Sequence, residues 1–201
     1  MATTISAALV QKLRETTGTA LMDCKRALEE AAGDFEKAKD LLRIKGLKTA
    51  DKKADRAANQ GGIGHYLHHD GRKAVLVEVN CETDFVARND KFKEFARNLA
   101  MHIAASKPQW VRKEEVPAEA VEKEKAMILA ESAEEMAKKP EAARAKIIEG
   151  RMQKFYAQHC LLEQQWIMDD KRRVEDLRKD LIASIGENIT IRRFARIEVG
   201  E

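Results

Sequence analysis

One eleven-residue stretch sets a thiol, a hydroxyl, carboxylates and an aromatic ring side by side: Asn80-Cys81-Glu82-Thr83-Asp84-Phe85-Val86-Ala87-Arg88-Asn89-Asp90. Thr83 and Asp84 suit a turn, because short polar side chains bond the nearby backbone. Phe85 and Val86 do not. Either Phe85 folds back into the core beneath the loop, or it stands exposed beside a carboxylate as a compact probe for a partner's pocket. Met22 poses a related question. It lies beside Leu21 near the start of a helix, so one of the two can be core while the other lies near the surface.

The rest of the chain is poor in reactive constellations. His68-His69 is the densest histidine pair, but adjacent residues on a strand point to opposite faces. Cys81 is the nearest thiol and no CxxC or HxxxH accompanies it, so a solvated pair near a turn is the reading rather than a metal site. No GxxxxGK[ST], GxGxxG or GxSxG occurs, and the glycines at 61, 62 and 64 precede a strand rather than a helix. Cys24 falls on the apolar side of a short helix and reads as packing; Cys81 and Cys160 are free thiols or packing residues. No catalytic residue, metal ligand or cofactor is assigned.

The elements that must carry these residues are read from periodicity. Ile5, Leu9 and Leu13 mark a first amphipathic helix that ends near Gly18. Thr19 is a candidate N-cap for a second helix with Leu21, Cys24 or Lys25, and Leu28 on one face, and Asp34 for a third with Phe35, Ala38, Leu41 and Leu42, after a stop at Gly33. Ile63, His65 and Leu67 alternate, Asp70-Gly71 is a two-residue turn signal, and Val75, Val77 and Val79 alternate again, which predicts a hairpin. A third strand carries Ile189, Ile191, Ala195, Ile197 and Val199, with Arg193 out of pattern. Helices are predicted through Phe92, Phe95, Leu99 and Ile103, and through Val174, Leu177, Leu181 and Ile185. Residues 118–158, interrupted at Lys139-Pro140, predict two antiparallel helices with a thin seam of Val121, Ile128 and Met136 against Ile148, Met152 and Phe155. The predicted class is α+β: a three-helix bundle over 1–46, a basic helical linker over 47–59, and a core over 60–201 of three-stranded antiparallel sheet with helices and the projecting hairpin at 118–158.

Composition agrees with a helical chain: 35% of residues are charged and 5% aromatic, with ten Gly and three Pro. No run of about 18 apolar residues is present, so no membrane span is predicted. No signal or transit peptide is read, helical patterning beginning at about Thr4. Three cysteines, odd in number and far apart, argue for a reducing, cytoplasmic setting. The net charge of +3 concentrates in residues 45–58, with five Lys/Arg against two Asp/Glu. A nucleic-acid binder spreads positive charge over a whole face, so direct nucleic-acid binding is not predicted. Two rival readings remain on these features alone. An RNA-binding helical module would draw on 45–58 and bind with a steep salt dependence. A ubiquitin-type binding module would rest on the first 45 residues and leave the core and the 80–90 stretch unexplained.

LVQKLRETTGTALMDCKRAL at 9–28 resembles the N-terminal signature of the bacterial elongation factor Ts family, and NCETDFVARND at 80–90 resembles its second signature. MHIAASKP at 101–108, EGRMQKF at 149–155 and IGENITIRRFARIEVGE at 185–201 are similar to later family segments, so the resemblance runs along essentially the whole chain. It implies a guanine-nucleotide exchange factor that binds elongation factor Tu, GDP-bound and nucleotide-free, and acts without covalent chemistry. It also implies that the N-terminal bundle is similar to a ubiquitin-associated domain. By the same resemblance Thr83, Asp84, Phe85 and Val86 enter near the partner's magnesium and phosphate site. Arg14, Met22 and Lys25 match partner contacts of the N-terminal domain, and His102 matches a core position touching another domain of the partner. Read from local chemistry alone, His102 is a satisfied histidine at a helix–sheet boundary. The chain departs from the long form of the family, which has two related core subdomains. With one, it leaves an open sheet face or edge, and pairing across a two-fold axis would replace the missing half. A homodimer binding two partner molecules is therefore expected.

Overall fold

In the computed structural model, which describes residues 5–132 and 139–201, three helices come first: α1 (Ala7–Thr17), α2 (Leu21–Glu30) and α3 (Phe35–Lys53). The start of patterning at Thr4 and the seam position Met136 lie outside the described residues. The Ser6 hydroxyl caps α1 by accepting from the Leu9 N–H, and Gly18, at φ +68°, ends it in the left-handed conformation that glycine tolerates. Asp34 caps α3 as expected, accepting from the Lys37 N–H. Thr19 does not cap α2. The helix begins one residue later, with Ala20 at the N-cap, whose methyl has no acceptor to offer, and the Thr19 carbonyl accepts from the Cys24 thiol at 3.6 Å. Val10, Leu13, Cys24, Ala27, Leu28, Ala31, Ala38 and Leu42 form the bundle's core.

The strands β1 (Gln60–Leu67), β2 (Lys73–Cys81) and β5 (Ile189–Glu198) form a sheet in the order β1-β2-β5. A short turn, α4 (Asp84–Ala87), and α5 (Asp90–Ser106) follow β2. α6 (Ala118–Glu131) and α7 (Glu141–His159) make the helical hairpin, and α8 (Val174–Ile185) precedes β5. A second, two-stranded ribbon of β3 (Gln165–Trp166) and β4 (Asp169–Arg173) was not legible. Its charged run Asp-Asp-Lys-Arg-Arg has no alternation of apolar residues to mark a strand. The fold is α+β, as predicted.

The chain divides into two compact units. The first joins Met1–Ile63 with Glu78–Ala96 and Asp176–Ile191. Here α3 runs on to Lys53, into the stretch read as linker, and residues 176–186 give it something to run along. Lys179 pairs with Asp51 at 2.7 Å, and the Lys53 ammonium donates to the Gly186 carbonyl at 2.5 Å. At the crossing, a Cβ on Gly46 would lie 3.0 Å from the Ala183 Cβ, so the helices meet through their smallest side chains. Gly61 is needed for a similar reason. At φ +155° its missing Cβ would sit 2.3 Å from the Val79 carbonyl oxygen.

The second unit joins Gly64–Val77, Arg97–Glu175 and Arg192–Glu201. The α6–α7 seam is thin, as expected: Ile128 and Met152 are buried, with Val121, Ile147, Ile148, Phe155 and Tyr156 packed about them. At the C-terminus Glu198 accepts from Lys107 at 3.0 Å, from Arg196 and from Lys73 at 3.1 Å. These hydrogen bonds hold its carboxyl down to about 2. Leu67 on β1, Leu76 on β2 and Ile197 on β5, with Val199 just past its end, are each more than half exposed. Opposite them on β2, Val75 and Val77 are buried, so the sheet has one covered and one uncovered apolar face.

The Gly46 contact predicts a graded response. Gly46→Ala gains helix propensity while crowding Ala183, and should change the unfolding free energy by less than about 1 kcal/mol. Gly46→Leu overpacks the crossing and should cost about 1–3 kcal/mol. Urea unfolding with an unchanged m-value checks both.

Candidate functional site

The stretch at 80–90 folds into one helical turn at the end of a strand. Thr83 is the N-cap of α4, with extended φ −126° and ψ 158°, and its hydroxyl oxygen accepts from the Val86 N–H at 3.4 Å. That same hydroxyl donates to Glu187 Oε1 at 2.7 Å, while Glu187 Oε2 accepts from the backbone N–H of Glu82 at 3.1 Å and of Thr83 at 3.0 Å. The reverse strap runs from the other segment. Glu82 Oε1 accepts from the Asn188 N–H at 2.6 Å and pairs with Arg56 at 3.6 Å. The Asn188 amide, itself buried, donates to the carbonyls of Ala54 at 3.1 Å and Arg56 at 2.7 Å. The buried Cys81 thiol donates to the Thr83 carbonyl at 3.1 Å. Burial, reinforced by the Glu187 charge, pushes this thiol above its ordinary value, so it stays protonated and keeps donating.

On this base Phe85 stands 80% exposed, which settles the choice left open by local chemistry. Asp84 beside it pairs with Arg88 at 3.0 Å, one turn on, and Val86 is half-buried. A bare aromatic ring on a braced turn can enter an apolar crevice with little further ordering, burying apolar surface worth about 2–3 kcal/mol.

Leu21 and Met22 are both exposed, at 45% and 58%, contrary to the expectation that one would be core. Cys24, Ala27 and Leu28 fill the interior instead, leaving the first turn of α2 to face outward. With Lys25 they line a groove of about 580 Å³ shared with Ile5, Ala7, Ala8, Val10 and Gln11 of the α1 region. Arg14 is exposed further along α1 and does not line it.

His102 is fully buried. Its Nε2–H donates to Gln164 Oε1 at 3.0 Å, and its ring stacks on Trp166 with centroids 5.1 Å apart. Gln164 in turn donates to the carbonyls of Ser106 and Gln158, at 3.2 and 2.7 Å. Burial lowers the imidazole to about 4, against a smaller opposing effect of the Gln164 bond. His68 and His69 lie beyond the end of β1, where strand alternation no longer separates them, and their rings approach to 4.3 Å. Among the described residues no group of three or more His, Cys, Asp or Glu stands together as a metal site, and no helix is long and apolar enough to cross a membrane.

Sequence reasoning gave Glu82 no role of its own and missed Glu187 and Asn188. Their one local signal is the Gly186-Glu187-Asn188 step between a helix and a strand, and a capping turn more than a hundred residues away is not readable from it.

His102 gives a pH test. In the unfolded chain it titrates near 6.5 and in the folded chain near 4. The unfolded state therefore takes up a proton first as pH falls. Stability is unaffected by this group above about pH 7 and is lost between about 6.5 and 4, by roughly 3 kcal/mol in full. The imidazole Cε1–H resonance should stay nearly unshifted down to about pH 5.5 and move with a midpoint near 4; a midpoint near 6.5 would refute the buried, neutral ring.

Residues 35–180 match the family model described as elongation factor TS. The chain is 54% identical over 197 residues to elongation factor Ts of Anaeromyxobacter sp. (strain K), covering 98% of this chain and 89% of that one. It is 56% identical to elongation factor Ts of Geobacter metallireducens, with 98% and 90% covered. It is 54% identical to that of Thermotoga neapolitana, with 98% of each chain covered. Those relatives are thus close to this chain in length. Motifs, fold and whole-chain identity agree, and the chain belongs to the elongation factor Ts family.

Proposed function

We propose that the turn at 83–86 is the part of this chain that reaches the nucleotide site of its partner. Membership of the family makes the chain a guanine-nucleotide exchange factor for elongation factor Tu in protein synthesis. Exchange of this kind needs no covalent step. Factor and GDP–Mg²⁺ both bind the GTPase, and each weakens the other by the same factor. A ternary complex forms, the nucleotide leaves, and GTP later displaces the factor. The observation that carries the reading is Phe85, exposed on a turn anchored at its N-terminal end by Glu187. Phe85 wedges near the partner's magnesium and phosphate site, and Asp84 competes there for polar groups. Met22 and Lys25 dock the N-terminal groove, and Arg14 orients the approach by charge. His102 contributes from beneath. It holds Trp166, and with it the exposed Ile167 and Met168 at the tip of the β3–β4 ribbon, the surface a partner would touch.

In this proposal residues 1–46 serve as the docking module, 47–59 as its connection, and 60–201 as the core that carries the wedge. The uncovered face with Leu67, Leu76, Ile197 and Val199 pairs with its copy in a homodimer working in the cytoplasm. An aliphatic patch on three neighbouring strands supports that pairing. No contact with nucleic acid or membrane enters the scheme.

Two measurements test it. In stopped-flow release of a fluorescent GDP analogue from elongation factor Tu, Phe85→Ala should lower the factor's acceleration at least about tenfold while the chain unfolds at the same urea concentration. Unchanged acceleration would sink the wedge. In light scattering the chain should weigh twice its 22.7 kDa. Leu76→Asp should return it to the single-chain mass, because a carboxylate cannot be buried unpaired at the pairing face.

A further inference from the structure

We infer that Glu187 is a positioning residue for exchange: its carboxylate fixes the 82–86 turn so that Phe85 is presented to the partner rather than withdrawn. The inference rests on Phe85 acting as the wedge and goes beyond it, because the bonds of Glu187 go to the backbone and cap of the turn and not to the ring.

The geometry has a defined logic. The Thr83 hydroxyl can accept from the Val86 N–H only if its own proton is directed elsewhere, and Glu187 Oε1 takes that proton at 2.7 Å. The other carboxylate oxygen takes the N–H groups of Glu82 and Thr83, so one side chain sets both the backbone entering the turn and the side chain that caps it. These are hydrogen bonds to a carboxylate, stronger than neutral ones. The Glu82–Asn188 bond and the Asn188 bonds to the carbonyls of Ala54 and Arg56 fix the segment bearing Glu187 in its turn. α4 is four residues long and buries none of them. Such a turn has little of its own to stabilise it, and an exposed phenylalanine is drawn back toward apolar neighbours. Without Glu187 nothing else caps the turn in the required orientation, and Phe85 loses its fixed presentation. A glutamine at this position can still accept two N–H bonds at its single amide oxygen. It can also turn its NH₂ toward the Thr83 oxygen, so it restores shape and most of the bonding.

The test uses the full chain with elongation factor Tu and a fluorescent GDP analogue, comparing Glu187→Ala, Glu187→Gln, Phe85→Ala and the double variant of Glu187→Ala with Phe85→Ala. Glu187→Ala should lower the maximal release rate about tenfold while the factor concentration at half-maximum moves less than about twofold. Glu187→Gln should recover most of the rate. In the Phe85→Ala background the second substitution should change the rate by less than about twofold, because the presented ring is already gone. Hydrogen exchange of the Glu82 and Thr83 amides should quicken about tenfold in Glu187→Ala, with Val77 and Val79 unchanged. A wild-type maximal rate in Glu187→Ala, beside a slow Phe85→Ala, overturns the inference. So does an equal loss in both backgrounds. If Phe85→Ala is itself as fast as wild type, the wedge reading fails, and unchanged Glu82 and Thr83 exchange would separately refute the brace. Should Glu187→Ala not fold, Thr83→Val takes its place with the same outcomes, because it removes the hydroxyl that donates to Glu187 and accepts from the Val86 N–H.

Discussion

The Glu187 carboxylate accepts three hydrogen bonds from the Glu82–Thr83 step, and the course of the chain from Cys81 to Arg88 depends on it. A strand ends, its next residue turns into a cap, and a single helical turn carries an aromatic ring into water. Hydrophobic burial opposes that arrangement at every step. Polar bonds at the entry to the short segment oppose withdrawal of the ring. Exposing Phe85 therefore has a structural cost, and that cost is what makes the position informative about function.

Much of the architecture was legible. Helical spacing located α1, α2, α5 and α8, Asp34 capped α3, and Asp70-Gly71 turned the hairpin. Those features are local, and local patterns survive in any context. What escaped was long-range. Nothing near Phe85 says whether a ring after Thr-Asp folds in or stands out; the answer lies in a carboxylate over a hundred residues later. Ala-rich residues after 46 read as linker until Gly46 and Asp51 met Ala183 and Lys179. The β3–β4 ribbon escaped because its charges do not alternate with apolar residues. Leu21 and Met22 were expected to divide between core and surface, yet both face outward because Cys24, Ala27 and Leu28 already fill the bundle.

Charge follows the same division of labour. Of the five basic residues at 45–58, three have partners inside the chain. Lys45 pairs with Asp23, Lys53 binds a carbonyl and Arg56 meets Glu82. These three hold α3 to its neighbours and, through Arg56, touch the brace beneath the exposed turn. His102 is likewise internal. A neutral ring stacked on Trp166 is a packing element, and its influence on any surface passes through the ribbon it supports.

The central claim is that Phe85 enters the nucleotide domain of elongation factor Tu beside the phosphate site. A benzoyl group built onto the Phe85 ring and irradiated in the nucleotide-free complex tests it directly. The expected result is a covalent adduct on the partner's nucleotide domain, which does not form when GDP–Mg²⁺ has displaced the factor before irradiation. Adducts confined to another domain of the partner, or none in a complex that has formed, would contradict it.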